Sequence, residues 1–125
     1  MSFMQEYDVI ICGAGPAGLS TGISILFHNK NAKVLILENR EEVGEEKCGE
    51  GISKDWFKHM KRYGKYLLSN LKSKCFDNEM SGTLLVLPRG KQIITRTKKP
   101  NGWILNKDYF LKNLAAIFKK MGGHL

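Results

Sequence analysis

Along the first part of the chain the apolar residues form two short unbroken runs, Val9-Ile10-Ile11 and Val34-Leu35-Ile36-Leu37, with a spaced set between them. Runs this short, β-branched and without polar alternation fit strands buried on both faces of a parallel sheet. Between them Pro16 suits the first turn of a helix that continues through Ile23, Ile25, Leu26 and Phe27 to about His28, where Asn29-Lys30-Asn31 ends it. The predicted order is strand, helix, strand, a βαβ unit.

Past the second strand the period disappears. Residues 39–53 mix glycine with charge and predict a loop, and long loops in compact domains tend to be functional. From Lys54 to about Leu71, Trp56, Phe57, Met60, Tyr63, Leu67 and Leu68 recur at roughly helical spacing around Gly64, predicting one or two short helices with a core-facing stripe. Thr83 to Leu87 and Gln92 to Thr97 are extended-type runs about Pro88-Arg89-Gly90-Lys91, a hairpin signal. Pro100-Asn101-Gly102 then turns into a brief strand, Trp103 to Leu105, with Asn106 placed to cap a following helix. That helix carries Phe110, Leu111, Leu114, Phe118 and Met121 on one face and ends at Gly122-Gly123, after which His124-Leu125 begins another strand.

Glycine makes the βαβ unit a candidate binding site. With 13 glycines in 125 residues a GxGxxG pattern arises easily by chance, so its setting between a strand and a helix carries the reading. Gly13 allows a sharp turn out of the strand, Gly15 lets backbone approach a pyrophosphate, and Gly18 allows close helix packing. Pro16 and Ala17 complete the turn at a helix N-terminus, whose free N–H groups attract an anion. Glu38, twenty residues past Gly18, ends the second strand where a carboxylate accepts hydrogen bonds from an adenosine ribose. The plain alternative is a glycine turn that binds nothing.

A chain of this length is one domain, small for a dinucleotide enzyme. No stretch is long and apolar enough to span a membrane, and Met1 to Tyr7 lacks the basic start of a signal peptide, so a cytoplasmic location is expected. Cys12, Cys48 and Cys75 show neither a disulfide framework nor zinc spacing, and His28, His59 and His124 are scattered, so no metal site is expected. Cys12 and Cys75 read as structural. The net charge of +8 is split unevenly: residues 1–53 hold four Lys or Arg against eight Asp or Glu, and residues 54–125 hold sixteen against four. Such a basic half attracts nucleic acid, anionic lipid or an acidic protein, or it is simply a solvated lysine-rich surface. No nucleic-acid motif accompanies it.

A nicotinamide dehydrogenase of Rossmann type would continue in alternating strands and helices. The hairpin that interrupts the alternation here favours a flavoprotein, whose FAD-binding sheet is broken by strands of a substrate-side sheet. The expected fold class is α/β, a Rossmann-like FAD-binding βαβ unit with an inserted antiparallel hairpin. Residues 1–53 and 103–125 form the dinucleotide part, and 54–102 the helical and hairpin insertion.

With the loop included, the sequence resembles the geranylgeranyl reductase family, within the flavoproteins shaped like p-hydroxybenzoate hydroxylase. The resemblance rests on Gly13-Ala14-Gly15-Pro16-Ala17-Gly18, on Leu37-Glu38, and above all on Gly44-Glu45-Glu46-Lys47-Cys48-Gly49-Glu50-Gly51-Ile52-Ser53. It implies FAD as cofactor, with the pyrophosphate on the glycine turn, the ribose on Glu38, Asn39 among the cofactor-binding residues and Arg40 on the adenine side. It places Lys47, Cys48 and Gly49 in a loop facing the isoalloxazine ring, with Cys48 the candidate catalytic residue beside the reacting alkene. It also implies a flavin contact from Lys107, where the family's usual Asp-Arg is replaced by Asn106-Lys107 and the bidentate fork of arginine is lost.

The resemblance covers the whole chain but only about the first third of a typical family member, so the fold is expected to be incomplete. The implied partners are a prenylated lipid substrate, a membrane surface touched peripherally, and a second polypeptide supplying the missing half. Two other readings stay open: a fragment of another FAD-dependent monooxygenase or electron-transfer dehydrogenase, and a non-catalytic remnant or interaction module.

Overall fold

The structure, a computed structural model, describes residues 4–44, 51–56 and 73–125. The first sheet is built on two parallel strands, β1 (Val9–Cys12) and β2 (Val34–Leu37), with Val9 opposite Val34 and Cys12 opposite Leu37. Helix α1 (Pro16–His28) joins them and ends at Asn29, as the sequence predicts. On the other edge of β2 the chain returns at His124, which bridges Leu35 in parallel. The His124 carbonyl accepts from the Ile36 N–H at 2.8 Å and the His124 N–H donates to the Val34 carbonyl at 2.9 Å. The strand expected at His124-Leu125 thus begins in the sheet.

Helix α2 (Lys107–Lys120) lies beside α1 on one face of this sheet. Its start is capped as expected: the Asn106 side-chain oxygen accepts from the Tyr109 N–H at 3.1 Å. Leu19, Ile23 and Leu26 of α1, Val34 and Ile36 of β2, and Phe110, Leu111, Leu114 and Phe118 of α2 are buried together. The Phe118 ring fills the space between the helices so fully that a Cβ on Gly22 would stand 2.7 Å from its Cε2, and one on Gly123 would collide with the ring.

The opposite face of the sheet departs from expectation. Both strands read as buried on two sides, yet Ile10 is 58% and Leu37 51% exposed, because both helices lie on one side and none of the described residues covers the other. Cys12 is therefore exposed rather than packed. Cys75 is buried as expected, its thiol donating to Asn113 Oδ1 at 3.9 Å.

A second, antiparallel sheet has the order β3 (Gly51–Ser53), β7 (Gly102–Leu105), β4 (Phe76–Met80). Two of these strands depart from the sequence reading. β3 lies inside the stretch expected to be loop, and β4, with Asp77, Asn78 and Glu79 at its middle, has almost no strand propensity of its own. Pairing to the central β7 forms both, with a bulge between Phe76 and Asn78. This sheet takes β3 and β7 from the segments assigned to nucleotide binding and β4 from the insertion. Residues 54–56 are helical; the rest of the helical stretch expected to Leu71 lies outside the described residues.

The hairpin forms where the sequence places it, as β5 (Gly82–Val86) and β6 (Gln92–Arg96). Its turn closes through the Leu87 N–H on the Lys91 carbonyl at 2.8 Å, with Arg89 at φ 75.

Candidate dinucleotide-binding site

The glycine turn leaves β1 at its carboxyl end, the edge of a parallel sheet where ligands bind. Gly13 adopts φ +99, a conformation open to glycine, and its N–H donates to the Leu37 carbonyl at 2.7 Å, tying the turn to the end of β2. Gly15 is the N-cap of α1, with no side chain capping the helix and Pro16 supplying no N–H. The N–H groups of Ala17 and Gly18 in that first turn have no intrahelical acceptor and point toward the turn.

The three glycines of the fingerprint serve two different needs. A Cβ on Gly13 or Gly15 would meet no atom within 4 Å, so the space before them is open to a ligand. On Gly18 it would run into the Gly13 carbonyl oxygen and stand 3.3 Å from Ile11 Cγ2. Gly18 lets the helix sit against the turn; Gly13 and Gly15 face the space an anion would enter.

Glu38 is joined to that turn. Its Oε2 accepts from the Ala14 N–H at 2.8 Å, and its Oε1 accepts from the Asn39 N–H at 2.9 Å and the Arg40 N–H at 3.2 Å. The Ala14 N–H is the main cause that holds the carboxyl below the usual carboxylate range. The Arg40 N–H adds to this, and partial burial opposes it. A carboxylate offers about four lone-pair directions. With three taken by backbone, one remains to accept from a hydroxyl. Beside Glu38 a cavity of about 480 Å³ is walled by Arg40, Val43, Ala115, Ala116, Lys119 and Leu125 among others. Its volume lies within the range of small-molecule sites. A larger cavity of about 690 Å³ opens near Tyr7, Lys33 and His124, at the amino ends of β1 and β2, and carries none of the fingerprint residues.

The structure thus brings together Gly13, Gly15, Pro16, Ala17, Gly18, Glu38, Asn39 and Arg40. Asn39 and Arg40 enter through their N–H groups, and the Arg40 side chain also walls the cavity. Lys107 is 6% exposed at the first position of α2, with no ion-pair partner among the described residues. Lys47, Cys48 and Gly49 lie outside the described residues.

Both ends of the 45–50 segment are nevertheless anchored, in a way the sequence did not disclose. On one side Gly44, at φ +114, packs so closely on Asp108 that a Cβ would strike its carboxylate. Nearby the Lys112 ammonium reaches Glu42 at 2.9 Å and Asp108 at 3.3 Å. These carboxylates, Glu42 first, raise the Lys112 pKa. On the other side β3 pairs with β7. The same β7–α2 segment therefore holds both ends. Of these partners only Asp108 and Lys112 are near in sequence, four residues apart on α2; Glu42 and Gly44 are distant.

No family model matches the chain. It is 32% identical over 120 residues to the digeranylgeranylglycerophospholipid reductase of Methanococcus vannielii, a match that covers 94% of this chain and 28% of that protein. The protein of the same name from Picrophilus torridus is 30% identical over 122 residues, with the same coverage. The chain thus spans less than a third of the length of these relatives. Among solved structures, a geranylgeranyl bacteriochlorophyll reductase-like protein from Thermoplasma acidophilum superposes with a TM-score of 0.77 at 30% identity, over 94% of this chain and 29% of that one. Aklavinone-11 hydroxylase, solved with FAD and aklavinone, matches with a TM-score of 0.63 at 22% identity over 98% of this chain and 25% of its own, a likeness of fold alone.

Proposed function

We propose that this chain, which belongs over the stretch it spans to the geranylgeranyl reductase family, is the part of a flavin-dependent prenyl-lipid reductase that holds the ADP portion of FAD. The observation that carries the reading is the pairing of open space at Gly13 and Gly15 with the Glu38 carboxylate tied to the same turn. The residues fit the group. The α1 N-terminus and its uncapped N–H groups hold the pyrophosphate, the remaining lone pair of Glu38 accepts from a ribose hydroxyl, and the cavity beside Arg40 takes the adenine. The substrate proposed from the relatives' names is a phospholipid bearing geranylgeranyl chains.

Bound and reduced, FAD supplies a hydride to one carbon of an isolated alkene, and a proton adds at the other. In this reading the described residues serve to position: α1 would fix the nucleotide, and β7 with α2 holds the residues that flank the 45–50 segment. Lys107 is assigned to the flavin side and Cys48 to the alkene side by the resemblance alone. Lys107→Met should lower flavin affinity. In an assembly reconstituted with the remaining polypeptide, Cys48→Ala should lower turnover at equal flavin content; unchanged turnover would leave Cys48 a packing residue.

The bare sheet face at Ile10, Cys12 and Leu37 supports completion by further polypeptide. The site itself is tested by titrating FAD into the chain and into Gly15→Val. Binding that ADP competes away, weakened at least tenfold by the substitution, is expected. Equal binding by both would reject the site.

A further inference from the structure

The β5–β6 hairpin takes no part in the nucleotide site and is exposed on both faces. Leu84, Leu85, Val86, Ile93 and Ile94 are each between 45% and 59% exposed. Leu84 stands opposite Ile94 and Leu85 opposite Ile93, adjacent pairs that point to opposite faces, so the ribbon is apolar on both sides. A two-stranded ribbon of this kind is marginal when bare in water, and a cluster of exposed apolar residues marks an interaction surface.

Charge distinguishes this surface from the bare face of the first sheet. Residues 82–99 hold Arg89 and Lys91 at the turn, Arg96, Lys98 and Lys99 at the base, and no acidic residue. On the other bare face the exposed side chains Ile10, Cys12 and Leu37 carry no charge, and Asp8 and Lys33, which the alternation brings to its edge, are of opposite sign, so that face has no net charge. An uncharged apolar face suits a protein neighbour. An apolar ribbon framed at both ends by cations suits an anionic surface with an apolar layer beneath it.

We infer that the β5–β6 hairpin docks the chain on a bilayer of anionic phospholipid, seated at the boundary between headgroups and acyl chains. The five cations meet lipid phosphates, and the leucines and isoleucines enter the layer below. The depth is limited by the backbone. No strand pairs with the outer edge of β5 or β6 among the described residues, and those N–H and C=O groups need the water that the headgroup region still holds. The inference does not rest on the flavin reading, since the hairpin lies apart from Gly13 and Glu38.

The test is flotation of the 125-residue chain, without FAD, with vesicles of phosphatidylcholine alone or mixed with phosphatidylglycerol. The chain should float with the phosphatidylglycerol vesicles only, and less as salt rises. Arg89→Gln with Lys91→Gln should weaken binding roughly tenfold or more. Leu85→Ser with Ile94→Ser should weaken it too, with the melting temperature confirming that the fold survives. Absent flotation, equal flotation with phosphatidylcholine, or binding indifferent to both pairs of substitutions would each overturn the inference. So would a stable dimer in sedimentation that buries the hairpin and ignores vesicles.

Discussion

Gly15 and Gly18 stand three residues apart and answer to different constraints. A methyl group on Gly18 meets the Gly13 carbonyl oxygen, so Gly18→Ala should destabilise the chain by about 1–3 kcal/mol through overpacking, read as a fall in melting temperature of several degrees. Gly15 faces open space, so Gly15→Val should leave stability within about 1 kcal/mol, the scale of an N-cap change, and remove nucleotide binding. The fingerprint reading already gave the close packing to Gly18, and the Gly13 carbonyl oxygen is the atom that a side chain there would meet. Glu38 adds a pH dependence. Its carboxyl is held below its ordinary value in the folded chain, so the carboxylate contributes stability that is fully present above its unfolded pKa and is lost as pH falls through the lower folded one. The melting-temperature difference between the chain and Glu38→Gln should therefore be constant near neutral pH and shrink in acid. A difference that grows in acid would contradict the hydrogen bonds from Ala14, Asn39 and Arg40.

At the scale of elements, α2 depends on its start as much as on its apolar stripe. Asn106 caps it through the Tyr109 N–H, and Asn106→Ala should cost about 0.5–2 kcal/mol, measured by denaturant unfolding. This helix, the βαβ unit and the hairpin were legible because their signals are local: a cap and period for α2, unbroken apolar runs for β1 and β2, a turn for β5–β6. β3 and β4 were not, because they exist through long-range pairing to β7, and Asp77-Asn78-Glu79 reads as anything but a strand. The same reason hid the support of the site. Glu42 and Gly44 meet α2 at Asp108 and Lys112 across the chain, and no window of sequence contains both sides.

For the whole molecule, the described residues leave one sheet face bare. Ile10 and Leu37 read as buried from their neighbours in sequence, and only the arrangement of both helices on one side shows that none of the described residues covers them. Much of a bound flavin would then also stand uncovered. The purified chain should bind FAD weakly, with no stoichiometric yellow complex surviving desalting; one that did survive would mean that the described residues hold far more of the cofactor than its ADP half. No described helix is long and apolar enough to cross a membrane. The most direct test of the central claim is an amide NMR titration of the chain with FAD. It should shift Gly13, Ala14, Gly15, Ala17, Gly18, Asn39 and Arg40, and leave the hairpin at Leu84 to Ile94 unmoved. Unshifted amides in the glycine turn at saturating nucleotide, or shifts confined to the cavity beside Tyr7 and His124, would contradict it.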